Sequence, residues 1–573
     1  MTDPSTAAYI GSFVAFFAVC FLVAYYCGYA ALAAAMLVTF MLAIVAYMMR
    51  DNLAEHFGDA PRGGWLYDHV DGIYCITLTR RPERVANAKE FFESINTKPT
   101  YVRAVDKKFD LDVLHLLGDC SPDGTCKLMP KFALSHGEVA CYMSHLKALR
   151  TFLDDKRPDG KPCQTCIVCE DDVRPVEQAA LPTFMAKMAA VVKEVKGVTW
   201  NVVNLGPCLS YCAARKPIAG ASDVYDGASS SSKCSHFIMV NRAGAEAILE
   251  NAFPIYNIPY DVKLNVLARQ RVITMLETDE PLITQNRGRV KSELDHDDRL
   301  LHCVDVAPPR RKWLVFTSAG NQTRWYDPDM WGGADREYDV FVAFYGSDAD
   351  RRAMSKLHAD RFAVMTGGKF QNLFAWYHAK PEFFEGYQYV AVLDDDIEIS
   401  TPDLNRMFRI ASDRDLWVCQ PSFSDDSKIS FPITRHEDGV ALAYTNFVEM
   451  NCPFFRADKL FEFLNSPRND GTLYGYGTDY LYMDVLSGGG AGGSHDGRKF
   501  AVVHSVTCKN PRDDEKVDGR EILKLASQDM RRLQWEQYAA RRDLPDHVDA
   551  AVSCAVVVAP GATGPHGVPT CPT

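Results

Sequence analysis

The chain has 573 residues, of which 47% are hydrophobic and 24% are charged, so it exceeds one hydrophobic core and has the composition of a multidomain globular protein. Its formal net charge is −12, and its basic residues are dispersed. This excludes the basic surface on which nucleic-acid-binding proteins depend, and we expect no nucleic-acid partner.

The amino-terminal segment is strongly apolar. Residues 7–49 include no charged side chain, and one helix of this length would be roughly 60 Å long, about twice the hydrocarbon core of a bilayer. We therefore predict a transmembrane helical hairpin at about residues 8–27 and 30–49, in preference to one long tilted anchor or a buried hairpin. With a short linker it makes an anchor domain of residues 1–63.

A hairpin places the rest of the chain on one side of the membrane, with membrane lipid as a partner. Arg50 and Arg62 flank the second helix, whereas the turn is uncharged. The positive-inside rule then favours an integral membrane protein whose body lies on the cytoplasmic face. The 18 cysteines would also suit an oxidising compartment, so the Golgi or ER lumen is the alternative.

Strands alternate with helices from residue 64 to about residue 300. This pace predicts an α/β domain with a mostly parallel, Rossmann-like sheet. The strand at 165–169 reads TCIVC and ends at once in Glu170, Asp171 and Asp172. Open α/β sheets bind ligands at this edge, and oxygen ligands suit Mn²⁺ or Mg²⁺ that substrate phosphates complete.

One cysteine motif does not indicate a metal site. Cys163, Cys166 and Cys169 have the spacing CxxCxxC. Residues three apart on a strand face opposite sides, so these thiols cannot converge on one ion.

A second α/β domain is predicted at residues 311–540, after the boundary marked by Pro308 and Pro309. It repeats the acidic pattern, because YVAVL at 389–393 ends in Asp394, Asp395 and Asp396. Residues 545–573 contain scattered Pro, Gly and Ala and are predicted to be a disordered tail.

An ordered set of motifs runs through the first domain. IYCITL is followed by TRRPER, RAVD, LSHGEVACYMSHLKAL and CIVCEDDV, over about residues 71–285. This series resembles the family 25 glycosyltransferases, which include lipopolysaccharide-synthesis and procollagen galactosyltransferases. The resemblance implies a GT-A-type nucleotide-diphospho-sugar domain that uses a UDP-sugar donor, a metal ion, and a glycan or glycoprotein acceptor.

Roles follow for residues of the first domain. A metal ion neutralises the donor diphosphate as the glycosidic bond breaks, with Asp172 as the principal ligand. Asp261, in IPYDVKL, matches a family segment and is the candidate base, with a helix cap as the structural alternative. Contacts to the donor are assigned to Thr77, Arg81, Arg84, Asp106, Glu138, His145 and Glu170.

Three of these assignments carry specific observations. The family commonly has Asn where this chain has Thr77. The resemblance implies that Asp106 accepts a uracil N–H. Glu138 and His145 are seven residues apart on one helix face, and a cap with a packed histidine is the structural alternative.

The second domain resembles a different group, a plant and algal domain family of unknown function numbered 707. The matching segments are VLDDDIEI, CQPSFS, FVEMNCPFF, YGYGTDY and VVHSV, within about residues 313–510. The chemistry of that family is itself inferred to be glycosyl transfer.

The residues of these segments suggest a second site. On an extended segment Asp394 and Asp396 share a side and Asp395 faces away, so the pair could hold Mn²⁺ and ribose. His504 is a candidate third metal ligand, with a buried core histidine as the alternative. Lys369 is a candidate phosphate contact, and Asp479 a candidate base.

These observations predict a membrane-anchored, bifunctional hexosyltransferase with two GT-A-type domains in tandem behind the hairpin. The first would transfer galactose or a related hexose, and the second would add a further sugar. The alternative is one active domain followed by a non-catalytic, glycan-binding domain.

Overall fold

The computed structural model describes residues 63–557 and Cys571, except 108–109, 111–133, 177–180, 254, 256–257, 287–302, 304–307, 321–324, 347–358, 489–497 and 516–525. The described chain forms two α/β units in series, each built around one large sheet.

The first unit contains nine strands: β1 (Gly72–Thr77), β2 (Thr100–Arg103), β3 (Thr165–Glu170), β4 (Val173–Pro175), β5 (Val202–Asn204), β6 (Val224–Asp226), β7 (Phe237–Asn241), β8 (Met275–Thr278) and β9 (Ile283–Gln285). Seven of them form a sheet in the order β2-β1-β3-β7-β5-β8-β6, while β4 and β9 pair separately.

This sheet is mixed: five of its seven strands run in one direction, and β7 and β6 run against them. β1 runs parallel to β2 and β3, but β7 lies antiparallel between β3 and β5. Periodicity in the sequence indicates that a strand forms but not the direction in which it pairs. Both faces of the sheet are covered, and all six residues of β1 are therefore buried.

Among the described residues, six α-helices surround the first sheet: α1 (Pro82–Ser94), α2 (His136–Asp154), α3 (Leu181–Val195), α4 (Gly227–Ser230), α5 (Arg242–Glu250) and α6 (Tyr260–Arg269). α2 begins with a capping box, in which Ser135 accepts the N–H of Glu138 and the Glu138 carboxylate accepts the N–H of Ser135. The capping box fixes where α2 begins, and the helix packs against β1 and β3.

The second unit contains nine further strands: β10 (Trp313–Ala319), β11 (Tyr338–Phe344), β12 (Arg361–Val364), β13 (Tyr389–Asp394), β14 (Val418–Phe423), β15 (Val440–Thr445), β16 (Phe454–Arg456), β17 (Phe500–Cys508) and β18 (Val552–Val557). Their order is β12-β11-β10-β13-β16-β14-β17-β15-β18. β16 is antiparallel between β13 and β14, so this sheet is also mixed.

In the part of the second unit that the structure describes, five α-helices cover the sheet: α7 (Lys369–Ala379), α8 (Thr401–Asp413), α9 (Ala457–Leu464), α10 (Thr478–Ser487) and α11 (Gln528–Arg542). Apolar layers lie on both faces, one under α7 and α9 and one under α8.

Part of the predicted disordered tail is a strand. β18 pairs antiparallel with β15 at the edge of the second sheet, and a disulfide joins Cys554 to Cys571. The run AVSCAVVV supplies β-branched residues that suit an edge strand. The prediction of disorder is therefore wrong for residues 552–557.

In the described part of the chain, no helix is both long and apolar enough to cross a membrane. The hairpin predicted at about residues 8–27 and 30–49 lies outside the described residues. On this finding, the membrane-anchored fold class and the integral-membrane localisation are corrected to two α/β units, with no spanning helix among the residues described.

The two units share helix α6. Leu264 and Leu267 pack into the apolar core of the first unit, whereas Val262 and Val266 pack into that of the second. At the carboxyl end of the helix, the Gln270 side-chain amide donates to two carbonyls of the second unit. The arrangement of one unit is therefore tied to that of the other through this helix, and the Tyr211 hydroxyl adds a 2.8 Å hydrogen bond to the Glu385 carboxylate.

Candidate functional site

The acidic residues of the first unit lie at the carboxyl edge of its sheet. β1 and β3 are parallel neighbours, so their carboxyl ends meet there. Glu170 is the last residue of β3, and Asp171 and Asp172 follow it directly. The strand direction reverses at the next strand, β7. Open α/β sheets bind ligands at such edges.

Arg84 of α1 supplies the positive charge of this cluster. Its Nη2 lies 2.6 Å from Oδ2 of Asp172, and its Nε lies 2.9 Å from Oδ1 of Asp171. Burial alone would lower the pKa of Arg84, but the charges of Asp172 and Asp171 outweigh burial and raise it. Burial raises the pKa of Asp171 to about 7 and also raises that of Asp172, with Arg84 opposing both shifts.

Asp172 has one oxygen that the described residues do not satisfy. The residue is 2% exposed, and its Oδ1 is buried without a hydrogen-bonding partner there. Leaving such an acceptor unsatisfied costs about 1–3 kcal/mol, and more for a charged group. A cation at Oδ1 would remove this cost, so the donor set fits the Mn²⁺ or Mg²⁺ that the sequence predicts.

Glu170 is the more exposed carboxylate of the cluster, with 22% of its side chain accessible. Nε2 of the fully buried His145 lies 3.4 Å from Glu170 Oε1 and 3.4 Å from Ser235 Oγ, and its ring stacks on Tyr260 at 4.4 Å. Burial raises the pKa of Glu170, but the hydrogen bond and charge of His145 outweigh it and lower the pKa below its usual value.

Cys141 joins this pair and was missed in the sequence. It lies one helical turn before His145 on α2, and the ligand atoms of Cys141, His145 and Glu170 all lie within 4.8 Å of one another. No other set of three or more His, Cys, Asp or Glu side chains in the described ranges converges in this way. The spacing of Cys141 and His145 in ACYMSH was the available signal.

The predicted base Asp261 lies in the first turn of α6 and is half-buried. Its Oδ2 accepts the N–H of Cys234 at 3.0 Å, and its Oδ1 accepts the N–H of Val262 at 2.8 Å. Asn204 donates to the Cys234 carbonyl at 3.0 Å, and a disulfide links Cys208 to Cys234. The segment around Cys234, which positions Asp261, is therefore linked to the end of β5 and to the segment that follows it.

Four predicted donor contacts make other interactions in this structure. The hydroxyl of Thr77 donates within β1, and Arg81 forms an ion pair in the first turn of α1. Asp106 accepts from Arg80 Nε at 2.6 Å. Glu138 is the capping residue of α2, which is its structural alternative.

A polar network occupies the corresponding edge of the second sheet. Nζ of Lys369, the first residue of α7, lies 2.8 Å from Oδ1 of Asp394 at the end of β13. The same ammonium donates to the Asn451 carbonyl at 2.8 Å, and the Asn451 amide donates to Glu449 Oε1 at 3.0 Å. Lys369 therefore contacts a predicted metal ligand directly.

Glu449 is a further member of this site that the sequence reasoning missed. It is 3% exposed, and its Oε2 is buried without a hydrogen-bonding partner among the described residues. Burial, and next the charge of Asp479, raise the pKa of Glu449 to about 8. Burial raises the pKa of Asp479 to about 6, against hydrogen bonds that lower it. The only sequence feature that could have indicated Glu449 is its position in the segment FVEMNCPFF.

The acidic triplet of the second unit does not continue as a strand. Asp395 and Asp396 form a turn after β13, and the Ile397 N–H donates to the Asp394 carbonyl. The alternation expected of an extended segment therefore does not apply to Asp394 and Asp396. Asp395 accepts the N–H of Gly320 at 3.0 Å.

One ring nitrogen of His504 accepts a hydrogen bond and the other carries the proton, which is not the state of a metal-bound histidine. Its Nδ1 accepts the N–H of Glu437 at 3.1 Å, which leaves the proton of the neutral ring on Nε2. Burial and the neighbouring His436 lower its pKa to about 4, so the ring is neutral near pH 7. The structure thus argues against its prediction as the third metal ligand.

Comparison with known proteins identifies the first unit. Residues 70–210 match the family model described as glycosyltransferase family 25 (LPS biosynthesis protein). Over these residues the first unit is similar to a glycosyltransferase. The match includes Arg84, Cys141, His145 and the acidic residues at the end of β3, Glu170, Asp171 and Asp172. It confirms the predicted family for the first unit, whereas the resemblance of the second unit to family 707 stays a prediction.

Solved structures add only a slight likeness. TarS from S. aureus aligns at 11% identity with a TM-score of 0.26, over 36% of this chain and 37% of that one. A shorter TarS chain in complex with UDP aligns at 12% identity with a TM-score of 0.25, over 36% and 61%. The chain thus spans less than two thirds of either TarS chain, and these scores carry no argument. No curated protein matches the sequence.

Proposed function

We propose that the first unit transfers a hexose, galactose in the leading hypothesis, from a UDP-sugar to a hydroxyl of a glycan or glycoprotein. The observation that carries the proposal is the unsatisfied Oδ1 of Asp172 beside Arg84, inside the range that matches family 25. A cation ligand beside a fixed positive charge supports the binding of a diphosphate at this edge of the sheet.

Asp172 and Glu170 would hold a Mn²⁺ or Mg²⁺ ion together with the donor phosphates. Such an ion, when bound, neutralises the negative charge that develops on the diphosphate. Arg84 contributes a second positive charge and orients Asp172 through its 2.6 Å contact.

Asp261 is proposed as the base. It takes the proton of the acceptor hydroxyl, the acceptor oxygen bonds to the sugar carbon, and the bond from that carbon to the diphosphate oxygen breaks, so that UDP leaves. The N–H groups of Cys234 and Val262 hold the carboxylate in one orientation for this transfer.

The second unit is proposed to add a further sugar. Its support is the buried network of Lys369, Asp394, Asn451 and Glu449 at the carboxyl edge of the second sheet, with Asp479 close enough to Glu449 to raise its pKa. Lys369 would meet the donor phosphate, and Asp479 would be the base.

The test is turnover of a panel of UDP-sugars by the full chain with Mn²⁺. We compare wild type with Asp172→Asn and Asp479→Asn, and with the exposed controls Asp159→Asn and Asp458→Asn. Each site variant should lose turnover of a different donor by about 100-fold or more, the size typical of removing one group that stabilises the transition state, while the controls keep it.

Two results would change the proposal. If only Asp172→Asn reduces turnover, the second unit is the non-catalytic, glycan-binding domain of the alternative. If Asp172→Asn turns over every donor like wild type, the metal site of the first unit is assigned to the wrong residue.

A further inference from the structure

Cys141, His145 and Glu170 bring three different ligand types together beside the first site. Cys141 and His145 lie one turn apart on α2, and Glu170 reaches them from the end of β3. The thiol sulfur, an imidazole nitrogen and a carboxylate oxygen all lie within 4.8 Å of one another. Two independent elements of the fold therefore aim them at one point.

The spacing within this group matches a metal polyhedron better than a hydrogen bond. Nε2 of His145 and Oε1 of Glu170 are 3.4 Å apart, whereas N–H···O bonds centre near about 2.9 Å. Two ligands about 2.0–2.1 Å from a tetrahedral zinc ion are separated by roughly 3.4 Å.

The ligand chemistry also distinguishes this position from that of Asp172. Thiolate, imidazole and carboxylate together are ligands of zinc, whereas Mn²⁺ and Mg²⁺ select oxygen ligands. Cys141 is partly exposed, whereas the other free cysteines of the described chain are all buried.

We propose that Cys141, His145 and Glu170 form a second metal site, selective for a zinc-class ion and separate from the oxygen site at Asp172. Binding breaks the S–H bond of Cys141, forms the zinc–sulfur bond and releases the proton to solvent. The three protein ligands leave a fourth tetrahedral position for water.

This site would antagonise the donor site. Glu170 is shared, so an ion held by Cys141 and His145 withdraws that carboxylate from the sugar nucleotide. This consequence rests on the proposed function, and it predicts that Zn²⁺ weakens UDP binding in the presence of Mn²⁺.

The test is Zn²⁺ binding by the untagged full chain, in competition with a chromogenic chelator. Cys141→Ala should weaken the tightest site by at least about tenfold, the smaller loss seen when even an outer-shell partner of a metal is removed. Cys419→Ala, which removes a buried thiol of the second unit, should leave Zn²⁺ affinity unchanged. Mn²⁺ and Mg²⁺ should not occupy the position between Cys141 and His145, because both ions select oxygen ligands.

A second measurement uses wild type alone and does not depend on how the variant folds. Co²⁺ in this site should show a sulfur-to-metal charge-transfer band, which Zn²⁺ abolishes. The proposal is overturned if that band is missing, or if folded Cys141→Ala binds Zn²⁺ as tightly as wild type. Neither readout uses sugar transfer, so a chain that binds Zn²⁺ in this way but turns over no UDP-sugar would refute the proposed function alone.

Discussion

Each candidate site already contains one fixed cation. Arg84 pairs with Asp171 and Asp172 in the first unit, and Lys369 pairs with Asp394 in the second. Buried carboxylates need such partners, because an unpaired charge in the interior is strongly destabilising. In each site one carboxylate oxygen has no hydrogen-bonding partner among the described residues: Oδ1 of Asp172 and Oε2 of Glu449. The residues are thus arranged for a further positive charge or a shared proton.

Glu449 predicts a dependence of stability on pH. Its pKa in the folded state is raised to about 8 from the ordinary 4.5, first by burial and then by Asp479. Between these values the folded chain keeps a proton that the unfolded chain releases. Stability from this group is therefore lost as the pH rises from about 5 to 8.

Glu449→Gln resembles the protonated form and should remove that loss. Relative to wild type, the variant should gain stability between pH 5.5 and pH 8.5, by an amount on the order of a few kcal/mol. Urea unfolding at a series of pH values measures it, with the exposed Glu462→Gln as control. A stability difference between Glu449→Gln and wild type that stays constant over this range would contradict the assignment.

At the scale of elements, the sequence predicts what forms but not how it pairs. The apolar runs before the two acidic clusters are indeed strands, and α2 lies where the spacing of Glu138 and His145 predicts a helix. The antiparallel positions of β7 and β16 depend on contacts between distant segments, which no local pattern contains. Pairing was therefore the limit of the prediction.

The candidate sites show the same difference between what the sequence predicts and what it does not. Glu170, Asp172 and Asp394 were found because each follows a recognisable strand. The interactions of Glu449 come from Asn451, which donates to it, and from the charge of Asp479 on α10. Those of Cys141 come from Glu170 at the end of β3. Sequence reasoning assigns a residue a role when its own element positions it, and misses the role when another element does.

The start of α10 allows a test at this scale. Gly477 precedes the helix with φ +84°, and an added Cβ would lie 2.1 Å from the ring of Trp535. Gly439 has φ +78°, and no atom lies within 4 Å of its Cβ position. Both positions strain an L-residue by about 1–2 kcal/mol, but only Gly477 adds a steric clash with a buried ring.

Gly477→Ala should therefore destabilise the chain by about 3 kcal/mol or more, from strain plus overpacking. Gly439→Ala should cost only the strain. Chemical unfolding separates the two contributions, and equal losses for both variants would show that the packing of α10 against Trp535 adds nothing.

At the scale of the whole molecule, α6 is the element that both units need. Its first turn carries Asp261, its Leu264 face belongs to the first core, and its Val262 and Val266 face belongs to the second. At the carboxyl end of α6, Nη1 of Arg269 donates to Nδ1 of His378, and burial keeps that ring neutral by lowering its pKa. Loosening the interface should therefore also disturb the base of the first site.

We expect wild type to unfold in one calorimetric transition, since neither core is complete without α6. Val262→Ala combined with Val266→Ala should cost about 2 kcal/mol per residue, from lost burial and the cavities left behind. It should also split the transition in two and lower turnover in the first unit. The Leu264 side chain packs only into the first core. Leu264→Ala should therefore destabilise the chain without splitting the calorimetric transition. Two independent transitions in wild type, or the same profile for both variants, would mean that the units are stable apart and that α6 does not couple them.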